Sequence, residues 1–438
     1  MQTADHIIYA KWLICGDEKY SVLTDHALVI KNGMIIAILP SREASATYNA
    51  LATENYSTHA IIPGLINSHT HLAMNYFRGL ADDLSLMNWL NNHIWPAEKK
   101  WVSREFVRDA SFFAIAEMIR SGTTCFNDMY FFLKETAAAA DIAGIRAHIG
   151  MTVIEFPTSW AGTTDEYFAR GEEFFAEYQN HPLITPTLAP HAPYTVSNES
   201  LLRIKEFSQQ HQLKINIHLH ESVEEINGSM LEFKQRPIQR LNDLGLLTPD
   251  LIAIHMTQIN ADDMNILAQT KPQIVQCPES NMKLANGACP VTQLQTAGLN
   301  IALGTDGAAS NNDLNMLGEM RTAAFLAKFT DKNPESLSAE LALRMGTLNG
   351  ARALGISHLT GALVKDRAAD FAVVNLAEIE TMPVYNPISQ IVYAASRQQV
   401  TDVWVAGKQL LKNRQLTTLD EKELISKATY WSNKISGV

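Results

Sequence analysis

The sequence lacks any apolar run approaching the roughly 18 residues of a membrane helix. Its opening stretch, Met1-Gln2-Thr3-Ala4-Asp5-His6, has no basic segment leading into an apolar core. The expectation is a soluble, cytoplasmic protein with no membrane partner. Cysteine is scarce: Cys15, Cys125, Cys277 and Cys289 are the only four, far apart and without a pair at zinc-knuckle or redox spacing. That excludes a disulfide framework and predicts free, mostly buried thiols in a reducing compartment. Positive charge is also short, with 35 Lys and Arg against 46 Asp and Glu and a formal net charge of −11. Nucleic-acid binders gain affinity by neutralising phosphates, so no nucleic-acid partner is expected; a small neutral or cationic ligand fits better. Low-complexity segments and short-period repeats are absent as well.

What is present is a globular balance, 46% hydrophobic and 18% charged over 438 residues. One (β/α)8 barrel takes about 250 residues, so a barrel plus a second unit is predicted. The first 60 or so residues read as strands. Ala27-Leu28-Val29-Ile30, the turn Lys31-Asn32-Gly33 and the return Met34 to Ile38 predict a hairpin, because both central residues of a type I′ turn need positive φ. Near the other end, Asp370 to Val374 and Val400 to Gly407 again read as strands, followed by a polar helical tail. A small β-sandwich domain is therefore predicted from both chain ends, residues 1–60 plus 362–438, with the barrel at 61–361.

Between these ends, short apolar runs alternate with amphipathic segments, the pattern of βα units on a parallel sheet. In one unit Ser103 caps a helix with Phe106, Val107, Ala110, Phe113, Ala114 and Ile115 on one broad face, Gly122 ends it, and Thr123-Thr124-Cys125-Phe126 begins a strand. Later strands are predicted at Ile184–Leu188, Lys214–Leu219, Leu251–His255, Gln273–Gln276 and Asn300–Leu303. His191, His218, His255 and Asp306 fall at or just after strand ends, where barrel enzymes gather their chemistry.

Two imidazoles two apart close the run Ile61-Ile62-Pro63-Gly64-Leu65-Ile66-Asn67-Ser68-His69-Thr70-His71. On a strand both rings face the same side, and neutral imidazoles suit zinc or a neighbouring first-row metal. Alone, the pair is a weak signal. Asn216 to Glu221 adds an imidazole and a carboxylate, and spacing leaves His218 and His220 equally placed. Ile301 to Gly307 adds Asp306. Three such groups on separate strand ends make a shared metal site the stronger reading over separate buried polar groups.

With these pieces in hand, the sequence resembles the amidohydrolase superfamily, and within it the methylthioadenosine/S-adenosylhomocysteine deaminases and their triazine chlorohydrolase relatives. The matching segments are Pro63-Gly64 to His71, Arg78-Gly79-Leu80-Ala81-Asp82-Asp83, His191-Ala192-Pro193-Tyr194, His218 to Glu221, and Gly304 to Asn311. The resemblance implies one divalent metal, zinc before iron(II) or manganese(II), held by His69, His71, His218 and Asp306, with Glu221 and His255 beside a bound water. It implies hydrolytic deamination of an adenine nucleoside: 5′-methylthioadenosine, S-adenosylhomocysteine or adenosine. Glu221, His255 and Asp306 are the implied catalytic residues. Glu98 and His191 are implied at the ribose hydroxyls, Trp89 as an apolar wall and Ser310 near the sulfur-bearing end. No arginine in Ile154 to Trp160 matches a binder of the homocysteine carboxylate. The zinc deaminase pattern His-x-Glu with Pro-Cys-x-x-Cys is absent. A chlorohydrolase is the rival enzyme reading and a catalytically silent, metal-stabilised scaffold the rival of another class. Homo-oligomeric assembly is left open.

Overall fold

The computed structural model describes residues 1–437. Sixteen strands build two sheets. The N-terminal segment supplies β1 (Gln2–Ile14), β2 (Val22–Lys31), β3 (Met34–Pro40) and β4 (Tyr48–Pro63). The middle supplies β5 (Leu65–Thr70), β6 (Thr123–Tyr130), β7 (Arg146–Val153), β8 (Ile184–Pro190), β9 (Ile215–Leu219), β10 (Leu251–His255), β11 (Gln273–Gln276) and β12 (Ile301–Leu303). The C-terminal part adds β13 (Phe371–Asn375), β14 (Val400–Val405), β15 (Lys408–Lys412) and β16 (Gln415–Leu416).

The terminal strands form one mixed sheet in the order β16-β15-β14-β13-β4-β1-β2-β3. Its hairpin turn is the one the sequence predicts: Lys31 pairs with Met34 while Asn32 and Gly33 take φ of 51° and 74°. Gly33 meets a second demand, because a Cβ there would lie 2.5 Å from the carbonyl oxygen of Ala406, on the turn between β14 and β15. The two halves of the sheet thus touch. Leu28, Ile30 and Ile35 share one buried cluster with Phe371, Val373 and Trp404, so the sheet folds over its own apolar face as a small sandwich.

The middle strands run in order from β5 to β12, every neighbour pair parallel. This is the eight-stranded barrel of a (β/α)8 fold. Its first and last strands are joined largely by side chains. The Asn67 amide donates to Thr305 Oγ1 at 2.7 Å and accepts from Thr305 N at 3.0 Å, and Asp306 N donates to His69 O at 3.1 Å. Gly304 permits that approach, since a Cβ there would sit 2.8 Å from the His69 backbone nitrogen. Ser103 caps its helix by accepting from Phe106 N, as predicted.

The chain passes from one sheet to the other at Gly64, where a Cβ would fall 2.0 Å from Thr124 Oγ1. A buried ion pair joins the units as well: Arg146 Nε and Nη2 reach the two Asp370 carboxylate oxygens at 2.6 and 3.2 Å, with both side chains under 8% exposed. Burying either charge alone is costly. Asp370→Ala is therefore expected to destabilise the fold by about 3–5 kcal/mol, read as a lowered midpoint in denaturant. All four cysteines are free and buried. Among the described residues, no helix is long and apolar enough to cross a membrane.

Candidate active site

Four side chains converge where β5, β9 and β12 end. His69 is the penultimate residue of β5 and His71 lies just past it; His218 is on β9; Asp306 follows β12. Their ligand atoms lie within 4.8 Å of one another. His218 Nε2 is 3.2 Å from both His69 Nε2 and His71 Nε2, and Asp306 Oδ1 is 3.3 Å from His69 Nε2 and 3.2 Å from His71 Nε2. Donors held about 2.0–2.1 Å from one tetrahedral ion stand roughly 3.3 Å apart, so the spacing matches a single first-row metal.

The protons are arranged to match. His71 Nδ1 and His218 Nδ1 donate to the backbone carbonyls of Met129 and His191 at 2.6 and 2.7 Å, which leaves each Nε2 with its lone pair turned inward. Converging lone pairs and a carboxylate repel one another unless a cation sits between them. Burial pushes His69 down to about 4 and His218 well below the usual histidine range. Burial opposes charge on His71 too, but the Asp306 carboxylate overrides it and raises that ring to about 9. Asp306 is held well below the carboxylate range despite burial, through His69 and His71. The cluster calls for one positive charge, and the donor set fits a divalent metal.

Above the cluster lies a cleft lined by His71, His218, Glu221, His255, Asp306, His191, Glu98 and Trp89, with further apolar residues around them. Glu221 follows β9. Its backbone N–H and that of His220 donate to the buried Glu225 carboxylate at 2.8 and 2.9 Å, which fixes the turn. Burial raises the Glu221 pKa, with His255 pulling it back and Asp306 adding to it. His255 Nε2 faces Glu221 Oε2 at 3.7 Å. Burial pushes Glu98 up to about 7, opposed by the Tyr130 hydroxyl that donates to it at 2.7 Å.

Nine of the ten residues singled out in the sequence come together in and under this cleft. Ser310 is not among the cleft-lining residues; its hydroxyl donates to Asp306 Oδ2 at 2.7 Å. The structure also separates His218 from His220. β9 ends at Leu219, and His220 takes φ of 54°, which turns its ring away from the cluster. There Nε2 accepts from Ile238 N and Nδ1 meets Gln258 O. His255 and Asp306 likewise sit at positive φ, 75° and 61°, the kind of backbone strain that gathers at functional sites. Sequence reasoning does not reach Ser280, Asn281 and Asn286, whose side chains meet Asp306, His255 and Glu221. Small polar residues in a loop have no periodicity that would betray them.

A parallel barrel with three imidazoles and one carboxylate at the C-terminal strand ends, and a buried acid beside them, defines a metal-binding barrel hydrolase in class. The model of the amidohydrolase family matches residues 60–410. The chain belongs to that family. A 5-methylthioadenosine/S-adenosylhomocysteine deaminase of Teredinibacter turnerae is 42% identical over 99% of this chain and 98% of its own. One from Saccharophagus degradans is 44% identical over 99% and 97%. A crystal structure of an adenosine deaminase from Xanthomonas campestris with bound zinc superposes with a TM-score of 0.98 at 44% identity, covering both chains fully. Atrazine chlorohydrolase from Arthrobacter aurescens, complexed with zinc, shares the fold at a TM-score of 0.91 and 21% identity, over 98% of this chain and 100% of its own.

Proposed function

We propose that the protein is a metal-dependent deaminase of adenine nucleosides, converting them to the inosine analogue and ammonia. The observation that carries the reading is the buried Glu221 carboxyl, raised in pKa and facing the cleft beside the metal-type cluster. Full-length relatives of that activity support it. His69, His71, His218 and Asp306 would hold the ion, and zinc is the first choice because imidazole and carboxylate suit it and zinc-bound relatives share the fold. A cation so held lowers the pKa of water from 15.7 to about 7 and so supplies a nucleophile at neutral pH.

The rest falls to the chain. Water oxygen adds to C6 of the purine and the C6–N6 bond breaks, but an amide anion is too poor a leaving group to depart unprotonated. Glu221 takes one proton of the attacking water and gives it to ring N1, then takes the second from the C6 hydroxyl of the adduct and passes it to the departing nitrogen, so that ammonia leaves and C6 becomes a carbonyl. His255 Nε2 orients the attacking oxygen, and Asp306 assists the transfer. Glu98 and His191 bind the ribose hydroxyls and Trp89 walls the base. The division into residues 1–60 plus 362–438 and 61–361, a cytoplasmic location and a small-molecule substrate complete the reading.

The lining of the cleft supports a preference. No lysine or arginine is among its lining residues, whereas Met74, Leu86, Leu90, Ile94, Ile154 and Phe156 are. A zwitterionic homocysteine tail would lose hydration there without a cation to pair its carboxylate. A neutral 5′ end is favoured, so kcat/KM is expected to be at least about tenfold higher for methylthioadenosine than for S-adenosylhomocysteine, the 1.4 kcal/mol of one modest charge-assisted bond. Steady-state rates with both nucleosides check this; equal values contradict it.

A pH dependence follows from Glu98. Its carboxylate form accepts the ribose O–H groups, and the protonated form, favoured below about 7 in the metal-free cleft, does so less well. A bound cation draws that value down. KM should therefore rise as pH falls below neutrality, and Glu98→Gln should flatten the limb while raising KM at every pH. Initial rates from pH 5 to 8 decide it.

Activity itself is tested by the spectral change from adenine to hypoxanthine with release of ammonia, in metal-loaded and chelated enzyme. The shared fold is all that a chlorohydrolase reading has here, because chloride leaves without the proton that Glu221 is placed to deliver.

A further inference from the structure

A stretch of seven residues touches all three of the side chains assigned to proton transfer. The helix Pro278–Lys283 and the turn after it run beside the cleft. Ser280 Oγ donates to Asp306 Oδ2 at 2.7 Å, Asn281 Oδ1 accepts from His255 Nδ1 at 2.9 Å, and Asn286 Nδ2 donates to Glu221 Oε1 at 3.0 Å. All three residues are buried.

We propose that Ser280–Asn286 is the positioning element of the proton-transfer step, with Asn286 the residue that decides which Glu221 oxygen carries the proton. The inference rests on the deaminase reading above. Because Oε1 already accepts an N–H bond, the mobile proton is directed to Oε2, the oxygen that faces His255 Nε2 at 3.7 Å. Asn281 complements this. By accepting from Nδ1 it fixes the His255 tautomer and presents Nε2 to the same place.

Asn286 is itself braced. Its carbonyl oxygen lies 3.0 Å from Thr257 Oγ1 and 2.5 Å from Gln258 Nε2, and Thr257 Oγ1 lies 2.7 Å from the Glu221 carbonyl oxygen. The single Thr257 hydroxyl proton goes to the nearer carbonyl, that of Glu221, Gln258 Nε2 donates to that of Asn286, and Glu225 holds the Glu221 backbone from the other side. None of these contacts involves a metal ligand, so Asn286 can be changed without touching the cluster.

The test compares two leaving groups. Both substrates need Glu221 to take a proton from the attacking water; adenosine must in addition have a proton delivered to its departing nitrogen, whereas 6-chloropurine riboside loses chloride, which departs with its electron pair and no proton. Asn286→Ala is expected to lower kcat for adenosine about 10–100-fold, the usual cost of removing an outer hydrogen-bond partner, and for the chloro compound at most a few-fold. KM for both should stay within about twofold and metal content should stay at the wild-type level. Asn286→Asp keeps the side-chain volume while replacing the donor by an acceptor, and should reproduce or exceed the selective loss. Equal losses on the two substrates, or no loss on either, would overturn the proposal. Wild-type enzyme that fails on methylthioadenosine and S-adenosylhomocysteine as well as adenosine would overturn the deaminase reading itself and the proposal with it.

Discussion

Replacing Glu221 by Gln should leave the metal bound and remove nearly all turnover. The amide has the size of the carboxyl, and Glu221 is not one of the four converging ligands, so metal content should match the wild type. What the substitution removes is the capacity to accept and return a proton beside C6. General acid–base groups contribute typically about 10²–10⁴ in rate. A loss in that range is expected in kcat, because the group acts on the reacting atoms and not on the ribose. KM should move little. Full turnover in a metal-loaded Glu221→Gln enzyme would sink the mechanism.

Asp306→Ala should strike the metal itself. Asp306 is the only anion among the four residues proposed to hold the ion, and its two oxygens are placed differently: Oδ1 faces His69 and His71, while Oδ2 is held by the hydroxyls of Ser280 and Ser310. Without it three neutral imidazoles remain around a divalent charge in a buried site, and two hydroxyls lose their acceptor. The loss of affinity should exceed the roughly 10–100-fold that follows removal of an outer partner. After gel filtration the variant should carry well under one equivalent of metal, measured by elemental analysis, and turnover should fall at least in proportion. A variant that retains one equivalent would show that Asp306 is not a ligand. Because Asp306 N also bonds His69 O across the barrel closure, thermal unfolding of the same sample separates loss of metal from loss of fold.

Much of this architecture was readable from sequence, for reasons that differ by element. The hairpin at Asn32-Gly33 was local chemistry, since only residues at ease with positive φ make that turn. β8 to β12 were visible as short apolar runs, four of the five ending at or just before a chemically useful residue. β7 was not, because Arg146-Ala147-His148-Ile149-Gly150-Met151-Thr152-Val153 carries an arginine, a histidine and a glycine in a strand buried throughout. Those residues answer to tertiary demands: Arg146 pairs with Asp370, and a Cβ on Gly150 would lie 2.5 Å from the Ala189 side chain.

The site shows the same division. His69 and His71 were legible through strand periodicity, but periodicity could not choose between His218 and His220, because the strand ends between them and the left-handed turn at His220 breaks the alternation. The resemblance to known deaminases favoured His218, and the geometry places it in the cluster. That resemblance also put Ser310 near the substrate's sulfur; in the structure its hydroxyl donates to Asp306 Oδ2. Asn281 and Asn286 were invisible, because a supporting amide is defined by what it touches and not by its neighbours in sequence.

The most direct test of the central claim is the ultraviolet change from adenine to hypoxanthine, with ammonia measured in parallel, for methylthioadenosine, adenosine and S-adenosylhomocysteine. Enzyme carrying one zinc per chain is compared with the same enzyme after chelation. Turnover that requires the metal, returns when zinc is restored and is faster for methylthioadenosine than for S-adenosylhomocysteine is the predicted result. Zinc-loaded enzyme that leaves all three nucleosides unchanged would contradict it.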